Sequence, residues 1–285
     1  MDELIHDVEG NLIEMDKSAV AIFSGGLDST TMLYSMLANG WEIPAAVSFY
    51  YGQKHVKELL YAAKTCEKLG IKHIIINLEV AGLTAALAEA DPSRTLLSAS
   101  DAEVPDGHYT SETMKATVVP NRNMIMLSIA GGIAVANNAA CVATGVHQGD
   151  HFIYPDCRPE FIQAAGHALF LGNVGFGNMH GIVTPFLLGD KTNIAAEALQ
   201  LHVPIHESWS CYKGDENHCG RCGTCVERLE AIHDARIRLA EENPGIEYPA
   251  DETVYEDTEF WVEEVARVAV EKAFPNNMED TNETE

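Results

Sequence analysis

Positive charge is scarce in this chain. Lysine and arginine number 18 against 43 aspartates and glutamates, a net charge of −25 over 285 residues. A field of that sign repels a nucleic-acid backbone, so no nucleic-acid partner is expected. The acidity equally suits a saline habitat or a demand for solubility, and Glu279 to Glu285 supplies part of it. No apolar run is long enough to span a bilayer, and Met1 to Lys17 lacks the basic start and long apolar core of an export signal. The expectation is a soluble cytoplasmic protein with no membrane partner. Without export, the seven cysteines are poor candidates for a disulfide framework. Internal repeats are also missing.

What remains is ordinary globular composition, 46% hydrophobic and 21% charged. Apolar runs Ala19–Phe23, Ile43–Phe49, Ile74–Leu78 and Cys141–Gly145 read as strands, and Ile182–Pro185 as a last one. Helical patterns lie between them: after Asp28, and over about 56–69, 124–137, 160–171 and 191–201. This beat predicts an α/β fold, a doubly wound and mostly parallel Rossmann-like sheet with ligands at the carboxyl ends of its strands. A short hairpin is expected around Leu4 to Ile13. Ala81 to Thr117 is a long excursion, either a lid or a disordered insertion. Two helices follow the last cysteines, one from after Cys225 to before Pro244 and one over Glu259–Phe274. The second carries Phe260, Trp261, Val265 and Val268 on one face, for packing on the body or on a second subunit. The expected division is an α/β domain over 1–205, a helical region with the clustered cysteines over 206–275 and an acidic tail over 276–285.

The first strand stops at Ser24-Gly25-Gly26-Leu27-Asp28-Ser29. Two glycines permit a tight turn and a close ligand, and the N–H groups of the following helix favour an anion. A plain change of direction would use the same glycines. The run lacks the G-x-G-x-x-G spacing and the lysine of a P-loop. It resembles the pyrophosphate loop of ATP pyrophosphatases, which split ATP to AMP and pyrophosphate while adenylating a carbonyl oxygen. Asp28 and Ser29 suit phosphate or Mg²⁺, or simple helix capping.

Cys211-x7-Cys219-x2-Cys222-x2-Cys225 offers four thiolates at the short spacings of a tetrahedral Zn²⁺ site. A complete cysteine set leaves no open position, so such a site is structural, with His218 as a neighbour. Arg122 suits bidentate contact with phosphate or carboxylate, or anchors its loop. Lys191, beside Asp190, either stabilises departing pyrophosphate or starts a helix in solvent. Asp156 and Arg158 sit in a run whose two prolines fix its shape, as in a recognition loop. Tyr51 and His55 stack on or bond a ring, or serve structure alone. Cys66 reads as helix packing.

These segments in this order resemble the 7-cyano-7-deazaguanine synthase family of the queuosine pathway: Phe23 to Thr31, Ser48 to His55, Pro120 to Asn123, Tyr154 to Phe161, Pro185 to Lys191, and Trp209 through Cys225. The resemblance implies an adenine nucleotide alpha hydrolase type of fold and conversion of 7-carboxy-7-deazaguanine, ammonia and ATP to the nitrile, AMP and phosphate products. It also implies a homodimer. Phe23, Ser24, Gly25, Gly26, Leu27, Asp28, Ser29, Thr30, Thr31, Met32 and Leu33 match the family's ATP segment, and the four cysteines match its zinc ligands. Asn121 stands where the family pattern leads one to expect glycine, and the excursion and tail are long for the family. Three rivals accompany this reading. One is a relative that stops at the amide for DNA modification or conjugation. Another is a tRNA-thiolating enzyme, which needs a further reactive cysteine and a basic surface. The third is a non-catalytic zinc module, against which the intact Ser24–Ser29 run argues.

Overall fold

A computed structural model describes residues 4–6, 12–14, 16–53, 56–79, 82, 86, 89, 104–108, 119–149, 154–213 and 216–273. His55, the acidic tail and most of the 81–117 excursion lie outside them.

Strands β1 (Leu4–His6) and β2 (Leu12–Glu14) form the expected antiparallel hairpin, Ile5 opposite Ile13. The body then alternates β3 (Ser18–Ile22), α1 (Leu27–Ala38), β4 (Glu42–Tyr50), α2 (Glu58–Leu69), β5 (His73–Asn77), α3 (Arg122–Ala136), β6 (Cys141–Ala143), α4 (Pro159–Gly172), β7 (Gly181–Val183) and α5 (Lys191–Gln200). The strands lie side by side in the order β5-β4-β3-β6-β7, every pair parallel. From β3 the chain winds outward to β5, then returns to β6 on the other side of β3. That reversal opens a crevice between the carboxyl ends of β3 and β6, where ligands of doubly wound sheets sit.

The sheet is covered on both faces, which is why its strands read as nearly continuous apolar runs. Val20 of β3 packs with Leu127, Ala130 and Ala134 of α3. Ala19 and Ala21, pointing the other way, pack with Met32, Leu33 and Met36 of α1 and with Ala62 and Cys66 of α2. Cys66 is thus a packing residue, and burial pushes its thiol up to about 11.

Beyond α5, α6 (Gly223–Glu242) and α7 (Phe260–Ala273) complete the described chain. α6 starts before Cys225, not after it. Cys222 is its extended N-cap and Cys225 rides in the first turn. Leu27, Leu199, Ile232, Ala235 and Leu239 share one buried cluster, so residues on both sides of position 205 build common core. α7 packs on α6, with the Trp261 ring 5.4 Å from that of His233. No helix among the described residues is long and apolar enough to cross a membrane.

Candidate active site

A cavity of about 540 Å³ opens at the carboxyl ends of β3, β4 and β6. It gathers segments that are far apart in sequence: Ser24 to Ser29, Tyr51, Arg122, Asp190 and Lys191 all reach it, Gly25 from behind.

The glycine turn forms one corner of it. Gly25 has φ +86°, and a Cβ there would lie 2.5 Å from the Glu58 carbonyl oxygen, so no other residue fits. Ser24 Oγ accepts the Gly26 N–H at 3.2 Å and lies 3.0 Å from Ser29 Oγ, which donates to the Gly26 carbonyl at 3.2 Å. No side chain caps α1, leaving its first-turn N–H groups facing the cavity mouth. Thr31 turns inward to the Leu27 carbonyl at 2.9 Å, and Met32 and Leu33 are fully buried core. These three support the turn and do not line the cavity.

Around Asp28 the charges converge. Lys191 Nζ and His147 Nε2 each lie 3.7 Å from Asp28 Oδ2, and Lys191 also lies 3.3 Å from Glu227 Oε2. Asp28 Oδ1 is buried and has no hydrogen-bond partner among the described residues, an orphaned anionic oxygen that suits a hard cation. Asp190 lines the cavity but is the N-cap of α5, its carboxylate accepting the Asn193 N–H at 2.8 Å.

The other wall is aromatic and polar. Arg122 Nη1 donates to Tyr51 Oη at 3.3 Å, and Glu58, Tyr154 and Tyr212 share the surface. Asn121, the residue in place of the expected glycine, has φ +57°. Asparagine tolerates that left-handed conformation best among residues with a side chain, which explains the substitution. Burial pushes the Glu58 carboxyl up to about 8, against a hydrogen bond from Gln53 and the charge of Arg122.

Asp156 sits behind this wall, accepting the Asn123 N–H at 3.2 Å, while Arg158 is the exposed N-cap of α4. Of that run, Tyr154 and Cys157 are the residues that face the cavity. His147, Glu58, Trp209 and Glu227 line it as well, beyond the residues expected from sequence. His147 follows a strand in a polar stretch, a usable signal. Glu58 and Glu227 look like any acid on an amphipathic helix.

The four cysteines meet beside the cavity. Their Sγ atoms lie within 4.8 Å of one another, with Cys219 to Cys225 at 3.9 Å and Cys222 to Cys211 at 4.0 Å. Four sulfurs at about 2.3 Å from a central zinc would be spaced by roughly 3.8 Å, so the donor set fits. The Cys222 N–H donates to Cys219 Sγ at 3.3 Å, and Cys222 Sγ lies 3.3 Å from Thr224 Oγ1. His218 is turned away, its Nε2 accepting the Ser210 N–H at 3.3 Å and its ring against Trp209. Trp209 links knot to turn: its backbone N–H donates to the Gly25 carbonyl at 2.8 Å.

The family described as "Queuosine biosynthesis protein QueC" matches residues 18–236. The 7-cyano-7-deazaguanine synthase of Rhizobium rhizogenes is 46% identical over 85% of this chain and 94% of its own, and that of Sinorhizobium fredii 45% over 89% and 98%. An NH3-dependent NAD synthetase structure from Campylobacter jejuni aligns with 94% of this chain and 91% of its own at 15% identity, TM-score 0.38. With the match running from the first strand of the sheet through the cysteine knot, the chain belongs to the QueC family of queuosine biosynthesis proteins.

Proposed function

We propose that this chain makes 7-cyano-7-deazaguanine from 7-carboxy-7-deazaguanine and ammonia at the expense of ATP, as a C–N ligase. The observation that carries the reading is the convergence of the Ser24–Ser29 turn, Lys191 and Arg122 on one cavity in a chain about 45% identical to synthases of that name.

The chemistry needs a better leaving group than carboxylate oxygen. A carboxylate oxygen of the base attacks the α-phosphorus of ATP and expels pyrophosphate. Ammonia then adds to the acyl adenylate, loses a proton and displaces AMP, giving the amide. The amide oxygen attacks a second ATP in the same way, and loss of AMP with both amide protons leaves the nitrile. Each step develops negative charge on phosphate, for which prearranged donors suffice. The first-turn N–H groups of α1, Ser24, Ser29 and Lys191 suit the departing pyrophosphate, and Arg122 suits the carboxylate or α-phosphate. Asp28 would hold Mg²⁺, which supplies charge neutralisation on the phosphates. Cys211, Cys219, Cys222 and Cys225 would hold Zn²⁺ for structure alone. A homodimer belongs to the same reading, by resemblance to the family.

Purified protein incubated with the 7-carboxy base, ammonium and Mg-ATP, with products weighed by mass spectrometry, tests this. Nitrile and AMP are expected in a ratio of one to two. Accumulation of amide alone supports the amide-stopping relative, and no ATP-dependent change in the base overturns the reading.

A further inference from the structure

The proposed phosphate contacts leave Glu58, a buried acid in the cavity wall, without a role. It is 8% exposed and lines the cavity wall. Its carboxyl is oriented by Gln53, which is wholly buried. The Gln53 amide cannot turn over without losing every contact: Oε1 accepts the Tyr51 N–H at 2.9 Å, and Nε2 donates to the Phe49 carbonyl at 2.9 Å and to Glu58 Oε1 at 3.1 Å. The Glu58 backbone is equally fixed, because Gly25 packs on its carbonyl.

We infer that Glu58, oriented by Gln53, reads the paired N–H donors of the aminopyrimidinone edge of the deazaguanine and so sets which base is activated. The inference rests on the substrate reading above. An ionised carboxylate offers about four acceptor sites and binds two parallel donors side by side. The N1–H and the 2-amino group of a guanine-like ring form such a pair, and the neighbouring O6 is an acceptor suited to the Arg122 guanidinium in the same cavity. The edge of adenine alternates donor and acceptor, and would turn its amino group toward a cation. The wall therefore favours the base over the adenine of ATP. Burial favours the protonated Glu58 carboxyl in the empty cavity, so accepting both donors requires it to give up that proton when the base binds.

Calorimetric titration separates the possibilities. For Glu58→Gln, the affinity for 7-carboxy-7-deazaguanine should fall by about 30-fold or more, while that for a non-hydrolysable ATP analogue stays within about threefold. The unaltered protein supplies a second test that needs no variant: the analogue lacking the 2-amino group should bind at least about tenfold more weakly than the parent. Base binding unchanged in Glu58→Gln, or equal binding of the two bases by the unaltered protein, overturns the role of Glu58 alone. Loss of ATP analogue affinity instead would assign Glu58 to adenine, and overturns it too. Failure of the unaltered protein to bind the 7-carboxy base at all defeats the substrate reading itself.

Discussion

Gly25 and Glu58 are in contact, and each constrains the other. A Cβ on Gly25 would meet the Glu58 carbonyl at 2.5 Å and the Ala62 nitrogen at 2.7 Å, on a backbone already at φ +86°. Strain of about 1–3 kcal/mol from the backbone alone, plus the clash, must be relieved by moving the turn off α2. Gly25→Ala should therefore lose ATP affinity by about tenfold or more and melt several degrees lower, measured by titration and scanning calorimetry. Glu58 adds a pH dependence of definite sign. Its carboxyl rises from an ordinary 4.5 to about 8 on folding, so the folded chain binds the extra proton. Stability from this group is fully present below pH 4.5 and is lost as pH rises through about 8, a few kcal/mol in all. Urea unfolding of Glu58→Gln should show a gain over the unaltered protein that grows between about pH 5 and pH 8.5. A gain independent of pH would contradict the shift. Ser24, Gly25, Gly26 and Ser29 are legible in the sequence because their order along the chain is their order in space. Glu58 is not, because only the parallel register of β3 and β4 sets the start of α2 beneath the turn.

At the scale of elements, the alternation of side chains is the most informative signal. Ala19 and Ala21 facing one layer and Val20 the other is what a strand buried on both sides must show. Boundaries are less legible where a side chain serves two structures. α6 starts a turn earlier than its pattern suggests, since Cys222 is at once the N-cap and part of the knot. The tie that holds α6 is not legible at all. Arg228 is wholly buried and donates to Ile205 O at 2.6 Å, Ser208 Oγ at 2.9 Å, Ser210 Oγ at 3.3 Å, Thr253 Oγ1 at 2.9 Å and Tyr255 Oη at 3.1 Å. In sequence it is one more charge on a helix; its burial follows from segments on both sides of α6 folding over it. Arg228→Ala leaves those oxygens without their donor and opens a cavity, at a cost of about 3–5 kcal/mol. Chemical denaturation should show that loss, and hydrogen exchange should quicken most in 205–210 and 251–255. A loss under about 1 kcal/mol would mean water replaces the guanidinium without penalty.

For the molecule as a whole, the cysteine knot and the glycine turn are tied together through Trp209. The chain from Gly25 reaches the cysteines through the Trp209 N–H, and the Trp209 ring lies 5.4 Å from Tyr61 of α2 and 4.2 Å from Lys57 Nζ. α6 carries Cys225 in its first turn and Glu227, the partner of Lys191, two residues on. The proposed zinc thus fixes one end of the helix whose Glu227 pairs with Lys191 in the cavity wall. Because ligands for such an ion exist together only in the folded chain, its binding free energy adds to folding. Removing it leaves four thiols within 4.8 Å, which cannot all ionise. Freshly prepared protein should hold about one zinc per chain, and a strong chelator should release it with a drop in melting temperature of more than about 10 °C, each kcal/mol counting for about 2–4 °C at this size. ATP analogue affinity should fall in step, although no cysteine lines the cavity through the knot, and readdition of zinc should restore both. If the chelated protein kept its melting temperature but lost ATP affinity, the metal would belong to the phosphate corner at Asp28 and not to the cysteines. If it lost stability yet kept affinity, the link through Trp209 would be too weak to couple the two sites.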